Sequence, residues 1–199
     1  MTRLLLLTPM LLLGSCTILP EQAPVDLYQL PPSTLEESLG EPQLQGLRIA
    51  RPLTSEALSA NRLLIMSDSN QLQAFPGMRL AAPTPLLWRD WLLDAFWRDG
   101  RVRALSASSE GLQSQLELGG MLRAFQILGD QARPEAFIQY DATLINTVGR
   151  IPVATRRFEA RQPLGSMAVA DAVDALGRAA DQLVRELIDW TIEQGQVND

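Results

Sequence analysis

Residues 138–144, Ile138-Gln139-Tyr140-Asp141-Ala142-Thr143-Leu144, decide the fold because apolar and polar side chains alternate along them without a break. A period of two is typical of a β-strand with one buried face and one solvated face. The flanking segments, residues 116–127 and 151–160, have the same strand character. In the first of these the alternation changes phase, which a β-bulge near Ala124 would explain. We therefore predict three long strands in an antiparallel sheet.

A helix is predicted before this strand region. Thr84-Pro85 is a favourable helix start, with Thr84 as the N-cap and Pro85 at the first helical position. Gly100 is well placed to end the helix. Trp88 and Trp91 recur at helical spacing, so we expect both side chains to face the core.

A second and longer helix is predicted after the strands. Over residues 169–191 an apolar side chain recurs every three or four positions. Asp174 with Arg178, and Asp181 with Arg185, are spaced to form i,i+4 ion pairs on its outer face. Together these elements predict an α+β fold, an antiparallel sheet with two long helices packed on one face.

Shorter strands are expected in the first part of the chain, at residues 26–30, 46–50 and 62–66. Ser67-Asp68-Ser69-Asn70 consists of turn-forming residues and is predicted to be a turn. It resembles the start of a calcium loop but has too few carboxylates to bind calcium. Residues 71–75 are then the hairpin partner of the preceding strand.

The N-terminal region carries the pattern of a bacterial lipoprotein signal. Residues 4–13 form an apolar run that is too short to span a bilayer, and it leads into the lipobox Leu13-Gly14-Ser15-Cys16. We expect cleavage before Cys16, with diacylglycerol on its sulfur and an acyl chain on its new amine. We predict that the chain has four parts: a signal peptide (1–15), a lipidated tether (16–25), a folded domain (26–194) and a disordered tail (195–199).

Charge and composition exclude several classes of function. The formal net charge is −6, or −7 after loss of Arg3 with the signal peptide, which makes the domain a poor nucleic-acid binder. The chain has no His and no Lys. A Ser-His-Asp triad, a Schiff-base lysine and a histidine metal site are therefore impossible. We predict no catalytic residue, no metal site and no cofactor other than the covalent lipid on Cys16.

Two glycine- and serine-containing motifs have structural interpretations. Ala107-Ser108-Ser109-Glu110-Gly111 loosely resembles a nucleophile elbow, but strand-like sequence follows it and no histidine base exists. Gly119-Gly120 has no phosphate-loop context and is predicted to mark a bulge or a close backbone approach.

The remaining candidates for function are apolar side chains on the two helices. Trp97 and Leu93 lie off the core stripe of the first helix, together with Leu86. Solvent, a partner or a second core surface are all compatible with this position, and we take Trp97 and Leu93 as partner-binding candidates because an exposed apolar strip marks an interface. Trp190 lies beside the main stripe of the second helix near the chain end. Its position leaves a choice between core and contact, and we include it among the partner-binding candidates.

Several segments of the chain resemble one family in their order and spacing. They are Leu27-Tyr28-Gln29-Leu30-Pro31, residues 47–53, residues 75–83, Leu122-Arg123-Ala124-Phe125 and Arg156-Arg157-Phe158-Glu159-Ala160. Together with the lipobox they resemble the ABC-type transport auxiliary lipoproteins, partners of MCE lipid transport systems. Leu80 departs from the family pattern, because Trp is usual at that position.

The resemblance implies a non-enzymatic role in lipid transport between membranes. An inner-membrane ATPase and permease would drive the movement, an MCE protein would bridge the periplasm, and this lipoprotein would dock it at the outer membrane. The resemblance also implies that copies of this chain can assemble into a homo-oligomeric ring. Thr17 after Cys16 favours the outer membrane, because Asp at that position holds lipoproteins at the inner membrane in enteric bacteria.

Two other functions are compatible with parts of the sequence. The main alternative is a periplasmic lipid- or sterol-binding carrier with its own apolar cavity between sheet and helices. An envelope hydrolase acting through Ser109 is the weaker alternative, since the chain lacks His and Lys.

Overall fold

The computed structural model describes residues 26–129 and 133–197. The predicted signal peptide, Cys16 and the tether lie outside the described residues. Two α-helices are present in the described part, α1 (Thr84–Asp99) and α2 (Val169–Gln196). The strands there are β1 (Asp26–Tyr28), β2 (Leu44–Ile49), β3 (Leu53–Thr54), β4 (Leu64–Met66), β5 (Leu72–Ala74), β6 (Met78–Leu80), β7 (Val102–Ala107), β8 (Leu116–Leu128), β9 (Glu135–Asn146) and β10 (Ile151–Pro163).

The three long strands β8, β9 and β10 are antiparallel neighbours, as predicted. Tyr140 of β9 lies opposite Leu122 of β8 and Phe158 of β10. The register of β8 against β9 shifts between Leu122 and Ala124, which confirms the predicted bulge. Gly120 has a φ of +138°, and a Cβ there would lie 2.0 Å from the Asp141 carbonyl oxygen. The close backbone approach expected of Gly119-Gly120 is therefore confirmed.

The α+β class is confirmed, but the sheet is mixed rather than purely antiparallel. Strands β2, β3 and β4 pair parallel to β8, and β7 pairs parallel to β2. The prediction was wrong on this point because β2 and β7 are joined through α1. Such a crossover returns the chain to the end of the sheet where it started, and the two strands then run in the same direction.

Both helices pack on the same face of the sheet, as predicted. The Trp88 ring of α1 lies 6.0 Å from the Tyr140 ring and 6.3 Å from the Phe125 ring. On α2, the Trp190 ring lies 5.5 Å from the Phe158 ring. Since Tyr140 and Phe158 are paired across β9 and β10, both helices cover one continuous apolar face.

The ends of α1 agree with the predicted helix to within one residue. Gly100 ends the helix in the left-handed conformation, with a φ of 78°. Thr84 is the first helical residue instead of the N-cap, and its hydroxyl donates to the Ala60 carbonyl at 3.1 Å. The hydroxyl therefore ties the start of α1 to the preceding loop.

An inter-helix segment, residues 29–38, lies between α1 and α2. The indole nitrogen of Trp91 donates to the Pro31 carbonyl at 2.8 Å. On the other side a Cβ at Gly177 of α2 would lie 2.7 Å from the Pro31 ring, so only glycine fits there without rearrangement. The segment therefore contacts both helices and joins them.

Asp181 of α2 holds this segment and does not form the predicted ion pair with Arg185. Its carboxylate accepts hydrogen bonds of 2.6 Å from the hydroxyls of Ser33 and Thr34, and also from the Thr34 N–H. Asp181 is only 7% exposed. The prediction was wrong because the partner comes from a segment 147 residues away in sequence. The other predicted pair, Asp174 with Arg178, is present.

The predicted tail of residues 195–199 starts too early. Helix α2 continues to Gln196, and Gly195 is buried against Leu44 and Leu116. Asn198 and Asp199 lie outside the described residues. Over residues 26–129 and 133–197, neither helix is both long enough and apolar enough to span a bilayer.

Candidate functional site

Helix α1 carries aromatic side chains on two opposite faces. Trp88 is fully buried and stacks on Trp91, with ring centroids 5.8 Å apart and planes inclined by 8°. Trp97 lies on the opposite face and is 73% exposed. Leu93, one turn before Trp97, is half-buried, as is Leu86. The predicted core position of Trp88 and Trp91 is confirmed, and Trp97 lies at the surface.

Trp190 is not available as a surface contact. Its side chain is 6% exposed and packs edge-on against Phe158. The choice that the sequence left open is therefore resolved in favour of the core, and Trp190 is removed from the partner-binding candidates. Its ring covers the β10 side of the sheet.

The last turn of α1, which carries the exposed Trp97, is bonded to a loop that carries a second exposed apolar side chain. The backbone N–H of Ser38 donates to the Asp99 carbonyl at 2.9 Å, which fixes the loop before β2 to the last turn of α1. The next residue in this loop, Leu39, is fully exposed. We call this part of the surface the distal end, defined by residues 36–41, the last turn of α1 and the C-terminal turn of α2.

Ion pairs hold the components of the distal end together. Arg101 bonds the carboxylate of Asp99 at 2.8 Å and that of Asp189 on α2 at 2.8 Å. These bonds, led by the one to Asp99, raise the pKa of Arg101. Gln196 of α2 donates to Gln43 in the loop before β2. The C-terminal ends of both helices thus lie at the same end of the sheet.

The space between the sheet and the helices is filled by side chains. Trp88, Phe125 and Tyr140 are all buried there, and the Tyr140 hydroxyl donates to the Gly119 carbonyl at 2.7 Å. Burial raises the pKa of Tyr140 above its ordinary value. The indole N–H of Trp88 has no hydrogen-bond partner among the described residues. Among the described residues, large side chains thus occupy the position where a lipid carrier would have its apolar pocket.

An open groove of about 410 Å³ lies instead beside α1. Leu30, Leu87 and Trp91 contribute apolar surface, and Asp94 and Arg98 add an ion pair with a separation of 2.7 Å. The groove is bounded by the inter-helix segment. Its charged side chains distinguish it from an enclosed apolar cavity.

The opposite face of the sheet is polar, as the alternation of residues 138–144 predicts. Asp141 lies between Arg157 and Arg123, at 2.6 Å and 2.8 Å. The hydrogen bond from Arg157, followed by that from Arg123, lowers the pKa of Asp141 to about 2. This arrangement is a network of paired charges on a solvated surface.

Ser109 lies in a short 3₁₀ turn, Ser108–Glu110, and is exposed. Its hydroxyl accepts a 3.3 Å hydrogen bond from Arg89 of α1. Arginine stays protonated and cannot act as the base that a serine nucleophile needs. The geometry around Ser109 thus supports a structural role.

Sequence reasoning missed two of the residues that shape this region. Leu39 lies in a loop with Gly40 and Pro42, where no periodic pattern exists to mark an apolar surface. Asp181 has an Arg four residues later, and this local spacing concealed its long-range contacts. The one available signal was that Asp181 directly follows two alanines on the apolar side of α2.

The fold and the surfaces described define an α+β domain in which the exposed Trp97 and Leu39 lie on segments joined at the C-terminal end of α1. The chain belongs to the ABC-type transport auxiliary lipoprotein component family, whose model matches residues 28–188.

Solved structures share this fold. A Xanthomonas campestris protein assigned to the DUF330 family superposes on this chain with a TM-score of 0.78 and 24% sequence identity. The match covers 87% of this chain and 98% of the Xanthomonas chain. A hypothetical protein from Chlamydia trachomatis gives a TM-score of 0.52 at 8% identity, covering 76% of this chain and 98% of its own. At these identities the likeness shows the fold alone. Among curated protein sequences, none matches this chain.

Proposed function

We propose that this protein is an outer-membrane lipoprotein that serves as the non-enzymatic docking subunit of an ABC-transporter-driven, MCE-dependent lipid transport system. The observation that carries the proposal is the family match over residues 28–188 in a chain that also has a lipobox ending at Cys16. The family name supplies the link to ABC transport and to lipidation. The choice of the outer membrane rests on Thr17 after Cys16, and the MCE partner rests on the family resemblance.

Lipid on Cys16 attaches the domain to the membrane. Each buried methylene contributes about 0.8 kcal/mol, so a diacylglycerol and an N-acyl chain hold the protein far more firmly than a single chain. The ten residues from Cys16 to Val25 reach at most about 36 Å when extended. The domain therefore acts close to the membrane, at its periplasmic face, and Thr17 after Cys16 favours the outer membrane.

The chemistry of the role is contact between surfaces. Without His and Lys the chain lacks two side chains that commonly act as general bases and nucleophile activators. Its exposed Trp97 and the half-buried Leu93 instead offer apolar area on a rigid helix. Aromatic side chains of this kind are common anchors of protein interfaces.

Co-purification from membranes in mild detergent tests the proposal. Wild-type protein with a C-terminal tag is expected to bring down an MCE protein and to fractionate with the outer membrane. The Cys16→Ala variant, which cannot be acylated, should leave the membrane fraction. Repeated isolation of the wild-type protein without an MCE protein would contradict the docking role.

Mass measurements of the purified protein test two further parts. The intact mass should correspond to a chain that starts at Cys16 and carries three acyl chains. Native mass spectrometry in detergent gives the number of subunits, and a single subunit would rule out the ring that the family resemblance implies.

A further inference from the structure

We propose that the distal end is the docking surface for the MCE partner, and that it binds a segment with basic side chains beside an aliphatic face. This inference rests on the proposed function and adds to it the location and chemistry of the contact. It follows from the exposure, the charge and the orientation of the distal end.

The first observation is the exposure of two large apolar side chains. Trp97 is 73% exposed and Leu39 is fully exposed, whereas Trp88, Trp91 and Trp190 are all buried. Trp97 projects from a helix whose opposite side is packed into the core, so its backbone is already ordered. Such a side chain forms a contact at little cost in conformational entropy.

The second observation is an excess of negative charge around these side chains. Glu36, Glu37 and Glu41 are exposed, and none of them forms an ion pair among the described residues. Two cations at this end are already neutralised, since Arg98 pairs with Asp94, and Arg101 pairs with two carboxylates. The C-terminal ends of α1 and α2 each add a partial negative charge. The surface is thus complementary to Arg or Lys side chains.

The third observation is the position of the distal end relative to the anchor. Strand β1, where the described chain starts, pairs with β6, and β6 leads into the first turn of α1. Trp97 lies near the other end of this helix, about 20 Å away at 1.5 Å per residue. The distal end therefore faces away from the point where the tether joins the domain.

Charge and position together select one occupant. An anionic membrane surface repels an acidic patch. A two-fold contact between two copies would bring like charges together at the same patch. In a ring the patch would instead need a basic surface on the neighbouring copy, and the exposed Arg156, Arg157 and Arg161 are already paired with carboxylates. A basic segment of the bridging partner satisfies both the apolar and the charged parts of the surface, with its aliphatic side chains on Trp97 and Leu39.

Binding of the lipidated protein in nanodiscs to the MCE partner tests the apolar part. Trp97→Ser is expected to weaken binding at least tenfold. Leu53→Ser is the matched control, since Leu53 is 75% exposed but lies on β3, far from the distal end, and it should leave binding unchanged. Equal affinities for wild type and Trp97→Ser would overturn the docking surface while leaving the docking role intact.

Charge reversal tests the electrostatic part. The double variant Glu36→Arg/Glu41→Arg should weaken binding at least fivefold at low salt, and this difference should shrink as salt is raised. The control Glu56→Arg/Asp68→Arg makes the same change in net charge at exposed positions elsewhere. If both double variants weaken binding equally, net charge rather than the distal end is responsible, and the proposal fails.

A peptide probe tests the surface independently of the partner. A helical peptide with leucines on one face and arginines on the other should blue-shift the Trp97 emission, and a version with glutamates for arginines should not. A shift with this peptide, in protein that captures no MCE protein, would support the surface and contradict the function. No shift with the arginine peptide would contradict the surface.

Two other outcomes would assign a different occupant and overturn the proposal. Anionic vesicles that shift the Trp97 emission as strongly as the arginine peptide would identify a membrane contact. A change in subunit number on Trp97→Ser, measured by native mass spectrometry, would identify a second copy of the chain.

Discussion

The two helices use their apolar side chains differently. On α2 the apolar stripe is buried along most of its length, with Leu176, Leu183 and Leu187 in the core and charged residues on the outside. Helix α1 also buries one side, but Trp97 on the other side is exposed, and Leu93 beside it is only partly buried against the core. Packing accounts for the sequence of α2, whereas α1 has more apolar surface than the core uses. That surplus identifies the surface where function is expected.

The largest predicted effect separates the two faces of α1. Trp88→Ala should destabilise the domain by about 3–5 kcal/mol, because it removes a fully buried ring from the stack with Trp91. Trp97→Ala should change stability by no more than about 0.5 kcal/mol. Urea unfolding followed by circular dichroism measures both. Comparable losses for the two variants would mean that Trp97 is part of the core.

A second comparison uses two aspartates of α2. Asp181→Ala should cost about 1–3 kcal/mol, because it leaves the buried hydroxyl of Ser33 and the polar groups of Thr34 without their acceptor. Asp174→Ala removes an exposed i,i+4 pair and should cost about 0.5 kcal/mol or less. Thermal unfolding of both variants provides the measurement. Equal costs would show that Asp181 does not hold the inter-helix segment.

These two helices also show what the sequence reveals about the fold. The period of two in residues 138–144, the phase change near Ala124 and the two helices follow from local patterns, and the structure has all of them. The parallel pairing of β2 with β7 and β8 was missed because it depends on the α1 crossover, which no local pattern records.

The candidate site was predictable only where it lies on a regular element. The helical period placed Trp97 off the core stripe, and the structure has it exposed. Trp190 lies at the margin of the apolar stripe of α2, where the helical period alone does not distinguish core from surface. Its contact with the Phe158 ring places it in the core. Leu39 lies in a loop, so its relation to Trp97 required the tertiary structure.

The smallest predicted effect concerns the polar face of the sheet, which both helices leave uncovered. The folded-state pKa of Asp141 is about 2, below the value of 3.8 expected in the unfolded chain. The carboxylate therefore stabilises the fold fully above pH 3.8, and this contribution is lost as the pH falls towards 2. Because the group is partly exposed, it should amount to about 1 kcal/mol or less.

Stability measured against pH for wild type and Asp141→Asn checks this effect. The difference between them should be constant near neutral pH and should disappear between about pH 4 and pH 2. Arg157→Gln should reproduce most of the loss, because the Arg157 hydrogen bond is the main cause of the lowered pKa of Asp141. A difference that persists unchanged below pH 2 would contradict this explanation.

Photo-crosslinking in intact cells tests the central claim, that the outer face of α1 is reserved for a transport partner. A photoreactive amino acid in place of Trp97 should yield a crosslinked adduct with an MCE protein, and the same residue in place of Leu53 should not. Adducts from position 97 that contain lipid, a second copy of the chain or no partner at all would contradict the account.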